Sequence, residues 1–351
     1  MSKQTSGVSH DHILITGVTG YIGFKTLTTA LERGFRVRAV VRSESNVIDL
    51  TNKIGDRTQL EFIVIPDFSS KDAFFNALDG IDVVIHIASP LAKEVDDYDA
   101  GIIQPTIAMV TTVLEAANRV ASVRRVILTS SCVTLIPFDW NMKPDSERLY
   151  SVTDINTSVI GPFSSAMGAY WASKALSRAA TTEFVLRERP HFDFVNLLPS
   201  VVVGPDDRLD ADSNATIDNL LEGTKAAVLA PALDSTLNST FPYVGTPVHV
   251  SDVARAHVDA IDAGLVPGNS EFILSSNTPN GVNWDTDVRA TCRKYFQEEV
   301  NSKILPLEGS LTTIKWRLDA QRTEEVFGWR FTNFGETMRG LISQYLKLKI
   351  K

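Results

Sequence analysis

A tyrosine and a lysine four residues apart, Tyr170 and Lys174 in GAYWASKAL, fall on one face of a helix that the apolar spacing predicts over 166–188. A free phenol has a pKa of about 10. A nearby ammonium favours the phenolate and brings the group toward proton exchange at neutral pH. Such a pair can act as the general acid or base that carbonyl reduction needs. Taken alone Y-x-x-x-K is unspecific, since tyrosine and lysine at this spacing also pack and snorkel on helix surfaces. Just upstream, RRVILTSSCVTL predicts a strand ending in Thr129, Ser130 and Ser131. The carboxyl end of a central strand in a doubly wound sheet faces the ligand crevice, where a hydroxyl can hydrogen-bond a carbonyl oxygen.

A second set of residues could hold a phosphate. In HILITGVTGYIG, Gly17, Gly20 and Gly23 sit at the junction of the first predicted strand and helix. Glycines there permit a tight turn, close approach of the backbone to a pyrophosphate and close packing of helix on sheet, while the helix N-terminus offers free N–H groups. The spacing G-x-x-G-x-x-G differs from the commonest dinucleotide fingerprint, so its place between strand and helix carries the reading. The second strand ends AVVRSES, with Arg42 where an NAD site would carry an acid for the adenosine ribose. A planar guanidinium suits a 2′-phosphate, which favours NADP.

These residues need a scaffold, and the chain supplies a regular one. Short apolar runs, ILITGV, RVRAVV, LEFIVI, DVVIHIA, RRVILTS and FDFVNLL, alternate with helical segments at 20–33, 46–54, 71–79, 99–120 and 166–188. Runs rich in Val and Ile without strict alternation are strands covered on both faces, so the fold class is α/β, a Rossmann-type doubly wound parallel sheet. The beat fails after Leu198. The expected division is a flexible tail over 1–12, a nucleotide-binding domain over 13–198 with 240–263 returning to it, and a smaller C-terminal substrate-binding lobe from 199–239 and 264–351. Within the returning segment, YVGTPVHVSDVARAHVDAI predicts a strand entering a helix capped by Ser251 or Asp252.

Composition narrows the partners. The 351 residues carry a formal net charge of -8 and no long basic run, which disfavours nucleic acid. Two cysteines make no disulfide framework, and the polar start MSKQTSGVSHDH has no secretory core, so a cytoplasmic setting is expected. No stretch approaches roughly 18 uninterrupted apolar residues, so no membrane partner is expected. A lone His86 in an apolar strand reads as a satisfied core group, and His249 and His257 lack the companions a metal needs; no metal is expected. Asp206 and Asp207 after Gly-Pro read as a solvated turn.

With these motifs in order, the chain resembles the extended short-chain dehydrogenases/reductases. TGVTGYIG is similar to their cofactor motif, VIHIASP to their fourth-strand motif, and YWASK to their Y-x-x-S-K; NLLPSVVVGP and PVHVSDVARAH match in place and order. VVRSES and LTSS are most similar to the carbonyl reductases related to dihydroflavonol reductase, cinnamoyl-CoA reductase and the yeast and fungal aldehyde and methylglyoxal reductases. The resemblance implies Tyr170 as general acid, Lys174 as the group that lowers its pKa and holds the nicotinamide ribose, and Ser131, with Ser130 as competitor, as the residue that polarises the carbonyl. It implies NADPH/NADP+ contacts at Gly17, Thr19, Gly20, Tyr21, Ile22, Gly23, Arg42, Asp67, Phe68, Ala88, Ser89, Pro199, Val201 and Val202. The expected activity is NADPH-dependent reduction of an aldehyde or ketone by a monomer or homodimer. A nucleotide-sugar epimerase or dehydratase of the same fold, or a non-catalytic NADP sensor, is the rival. Cys132 after the serine pair and LYSVTDINTSVIGPF depart from the plant reductases beside the substrate pocket.

Overall fold

The structure, a computed structural model, describes residues 11–141, 147–157, 159 and 161–350, the side chains of 140 and 141 excepted. Its centre is a seven-stranded parallel sheet: β1 (His12–Thr16), β2 (Arg36–Val41), β3 (Leu60–Val64), β4 (Val83–His86), β5 (Arg125–Thr129), β6 (Asp193–Pro199) and β7 (Ser270–Leu274). The spatial order is β7-β6-β5-β4-β1-β2-β3. Order reverses between β1 and β4, and crossovers of this kind leave a crevice at the carboxyl ends of those two strands.

Along β1, Ile13 and Ile15 enter one apolar core and Leu14 the other, and all three are fully buried. Burial on both faces explains why these strands read as continuous apolar runs. The connecting helices are α1 (Tyr21–Glu32), α2 (Glu44–Ile54), α3 (Lys71–Ala77), α4 (Gln104–Asn118) and α5 (Ala166–Glu188), the last with the bounds that the sequence pattern gives. A π-helical turn, Asp99–Ile103, leads into α4. The stretch Asp99–Asn118 is long and apolar enough by composition to cross a membrane, but 56% of that window is buried inside the fold, as a core helix would be.

A third apolar core lies off the sheet and forms the smaller lobe. Val203, Leu220, Val228 and Leu229 pack there against Trp284, Cys292, Met338, Leu341 and Ile342. Three details differ from expectation. The segment 264–351 is not all lobe: β7 pairs with β6 in the main sheet, Phe272 packs edge-on to Phe327 at 5.2 Å, and the Thr323 hydroxyl donates to the Ile273 carbonyl at 2.7 Å. The chain reaches that position past Gly268, where a Cβ would stand 2.1 Å from a carboxylate oxygen of Asp193, a tertiary contact with no local pattern. His12 opens β1 rather than closing a tail, and residues 1–10 lie outside the described ones. The helix α6 (Val250–Asp259) is capped by His249, whose ring nitrogen Nδ1 accepts from the Ser251 N–H at 3.0 Å, and not by Ser251 or Asp252.

Candidate active site

Between β1 and α1 the glycines are demanded by distance. Gly17 has φ of +78°, and a Cβ on it would stand 2.8 Å from the Ala88 nitrogen. A Cβ on Gly23 would stand 2.0 Å from the Gly17 carbonyl oxygen. The cap of α1 is Gly20, which brings no side-chain acceptor, and the first turn has no acidic residue. The leading N–H groups of α1 are therefore left for an anion, in the positive field of the helix end. The loop backbone at Gly17 to Ile22 and the facing Ala88 fit a pyrophosphate; Thr19 is exposed and Ile22 partly buried.

Past the glycine turn, Arg42 is exposed at the end of β2 with its guanidinium 5.4 Å from the ring centre of buried Phe68. The exposed Asp67 carboxylate accepts from the Ser69 N–H at 2.8 Å and hydroxyl at 2.7 Å, and these bonds lower its pKa. Further along the chain, Pro199 closes β6, and Val201–Val203 forms a short ladder with Pro247–His249. Val201 and Val202 are partly buried there.

The helix α5 starts at Ser165, whose hydroxyl accepts from the Gly168 N–H at 3.1 Å, and Trp171 fastens it to the loop after β5 by donating to the Ile136 carbonyl at 3.1 Å. One turn in, Tyr170 is partly buried, with the Ser131 side chain close enough to its phenol to favour the ionised form. Burial pushes the Tyr170 pKa up to about 12, with Ser131 pulling the other way. Lys174 is 6% exposed, donates to the Ser89 hydroxyl at 2.9 Å and lies 5.7 Å from the Tyr170 ring centre. Burial brings its pKa down to about 8. Burial is the first cause of the shift in both groups.

The three hydroxyls closing β5 take different directions. Thr129 is held by His257, Oγ1 to Nε2 at 2.7 Å. Ser130 turns inward, its oxygen buried without a partner, onto a polar cavity shared with His86, Lys174, Arg178 and Asn196. Only Ser131 meets Tyr170 among them.

Residues 13–271 match the family described as NAD dependent epimerase/dehydratase. The chain belongs to that family, in its extended short-chain dehydrogenase/reductase form. A ketoreductase of Cercospora beticola, CTB6, is 32% identical over 97% of this chain and 96% of its own. The dihydroflavonol 4-reductase of Arabidopsis thaliana is 25% identical over 87% of this chain and 75% of its own. Among solved structures, yeast methylglyoxal/isovaleraldehyde reductase Gre2, complexed with NADPH, superposes with a TM-score of 0.77 at 22% identity, covering 96% of this chain and 99% of that one. That likeness is one of fold.

Other residues of this member of the extended dehydrogenase/reductase family surround the site. The His86 ring is a core group, its Nδ1 2.9 Å from the Thr16 hydroxyl, and burial followed by the Lys174 charge lowers its pKa to about 3. Among the described residues no three His, Cys, Asp or Glu side chains gather as a metal site. Phe138, after β5, stacks on Phe241 at 6.2 Å with the planes 6° apart. Asp206 is not part of a solvated turn: it is fully buried and ion-paired to both Arg208 and Lys225. Asp207 pairs with Lys25 of α1 at 2.6 Å. Asp206 caps the short helix Asp207–Asp210, its carboxylate accepting from the Arg208 N–H at 3.2 Å, while its Lys225 and Gln344 partners are distant in sequence and have no local signal.

Proposed function

We propose that the protein is an NADPH-dependent carbonyl reductase that converts an aldehyde or ketone to the alcohol. The observation that carries the reading is the meeting of the Ser131 side chain and the Tyr170 phenol at the carboxyl end of β5, with Lys174 one helical turn away and held by Ser89. The names of the relatives, a ketoreductase and a dihydroflavonol 4-reductase, support it.

When bound, NADPH supplies the hydride. The chain does the rest. Ser131 donates a hydrogen bond to the carbonyl oxygen and polarises it, which is stabilisation aimed at where negative charge develops. Tyr170, protonated across the neutral range because burial holds its pKa at about 12, gives its hydroxyl proton to that oxygen. Lys174, held by Ser89, places a positive charge beside the phenol as it loses the proton. Arg42 and Phe68 would take the 2′-phosphate and adenine, with Asp67 at the rim, and Ala88, Pro199, Val201 and Val202 would line the way to the nicotinamide.

Initial rates with NADPH and NADH over aldehydes, diketones, β-ketoesters and flavanonols test cofactor and substrate class together. Turnover with NADPH exceeding that with NADH on at least one carbonyl class is expected. Tight NADPH binding without oxidation of it across the panel would sink the reading in favour of a sensor. Epimerase or dehydratase chemistry is less well supported, because β2 ends in Val41 and Arg42 rather than an acid, and Cys132 and Val133 stand where an Asp-Glu pair would follow the serine.

A further inference from the structure

The loop after Val201–Val203 reaches back over the glycine turn. Arg208 donates from Nη1 to the Thr19 carbonyl at 3.1 Å, while its Nε and Nη2 hold the Asp206 carboxylate at 2.8 and 2.6 Å. The Tyr21 phenol, from the first residue of α1, donates to the Gly204 carbonyl at 2.6 Å, and the Lys225 ammonium sits 4.9 Å over its ring. Arg208 and Lys225 thus lie against the two residues that flank Gly20, the cap whose following N–H groups face the phosphate position. Three cations, Lys25, Arg208 and Lys225, share two directly paired carboxylates, Asp206 and Asp207, and Glu222 adds its field to Arg208 without an ion-pair contact.

The positioning is built from deep in the lobe. Gln344, on the closing helix Phe334–Ile350, accepts from the Asp206 N–H at 2.8 Å and donates to the Asp206 carbonyl at 2.9 Å. Asp206 is fully buried, so its carboxylate cannot drift, and it fixes the guanidinium fork in one plane. Arg208 itself keeps 29% of its side chain exposed and has N–H groups left over beyond Asp206 and Thr19. A guanidinium held on one side by a carboxylate and presented on the other to a phosphate is a common way to fix an anion without a flexible side chain.

Resting on the cofactor reading above, we propose that Arg208 is a ligand of the cofactor's pyrophosphate supplied by the substrate lobe, with Asp206 and Gln344 as its positioning residues. The glycine turn then contributes backbone N–H groups to one face of the diphosphate and the lobe contributes a cation to the other. Cofactor affinity depends in this way on the lobe being seated on the turn.

Isothermal titration with NADPH, NADH, ADP-ribose and adenosine 2′-phosphate at two ionic strengths tests this. Arg208→Gln is expected to weaken the three diphosphate ligands alike, by about tenfold, to leave adenosine 2′-phosphate within twofold, and to flatten the salt dependence of ADP-ribose binding. Arg208→Lys should weaken the same three ligands less and keep the salt dependence. Arg42→Ala should show the opposite pattern, losing NADPH and adenosine 2′-phosphate while sparing NADH and ADP-ribose. Unchanged ADP-ribose affinity in Arg208→Gln, an equal loss for all four ligands, or a weakening that leaves the salt slope intact would each overturn the proposal. Should Arg208→Gln not fold, unchanged diphosphate affinities in Arg208→Lys overturn it instead. A wild-type protein that binds none of the four would remove the cofactor reading itself.

Discussion

On the function proposed above, the phosphate end of the cleft rests first on the backbone of the glycine turn and the reactive end on side chains, and the two respond to different physics. At Gly17 and Gly23 the chain itself comes so close that any Cβ would overlap a neighbouring nitrogen or carbonyl oxygen. At Ser131, Tyr170 and Lys174 the backbone is ordinary strand end and helix, and burial sets the chemistry of the side chains. A backbone site is tested by adding volume and a side-chain site by removing one functional group.

The largest effect expected is at the reactive end. Tyr170→Phe keeps the ring and loses the proton donor, so turnover with a carbonyl substrate should fall by about 10²- to 10⁴-fold while NADPH affinity by titration stays within a few-fold. Near-normal turnover would break the contrast. At the phosphate end the order reverses: Gly23→Ala places a methyl 2.0 Å from the Gly17 oxygen. It should weaken NADPH binding by at least about tenfold and cost about 1–3 kcal/mol of stability, read by calorimetry and by denaturant titration. Retention of both would mean that the turn relaxes and that its geometry is not what binds.

Arg42→Ala sharpens the picture, since it lies at the phosphate end but acts through a side chain. NADPH affinity should drop by about tenfold and NADH affinity should be unchanged; equal losses would count against a 2′-phosphate role. The smallest effect is in pH. Because burial brings the Lys174 pKa from its ordinary 10.5 down to about 8, kcat/KM for reduction should be halved near pH 8 and keep falling as the ammonium is lost. For stability the sign is opposite. Between about pH 8 and 10.5 the unfolded chain holds a proton on this lysine that the folded chain has given up, so this group makes folding more favourable as pH rises. A flat rate profile from pH 7 to 9 would show that Lys174 stays charged in the working enzyme.

Much of this was legible before any tertiary contact was considered. The bounds of α5 follow from its apolar period, six of the seven sheet strands follow from runs of Val and Ile, and Gly17, Gly20 and Gly23 mark a turn between strand and helix, although the approach of Ala88 to Gly17 is a tertiary contact. β7 was hidden because its place depends on Gly268 passing Asp193. The His249 cap was hidden because an imidazole nitrogen does the work usually given to a hydroxyl or carboxylate. Phe138 and Phe241 come from segments about a hundred residues apart, and no period connects them.

By itself the sequence determined which residue types stand at fixed short spacings, Tyr170 one turn before Lys174, glycines every third residue, and Arg42 in place of an acid, because helix pitch and turn geometry act over a few residues. Only the tertiary structure decided that Ser131 and not Ser130 meets the phenol, that the lysine binds Ser89, and that Asp206 is buried between two cations beside the phosphate turn. Those outcomes rest on which distant groups desolvate one another, and desolvation is a property of the packed fold rather than of any short stretch of chain.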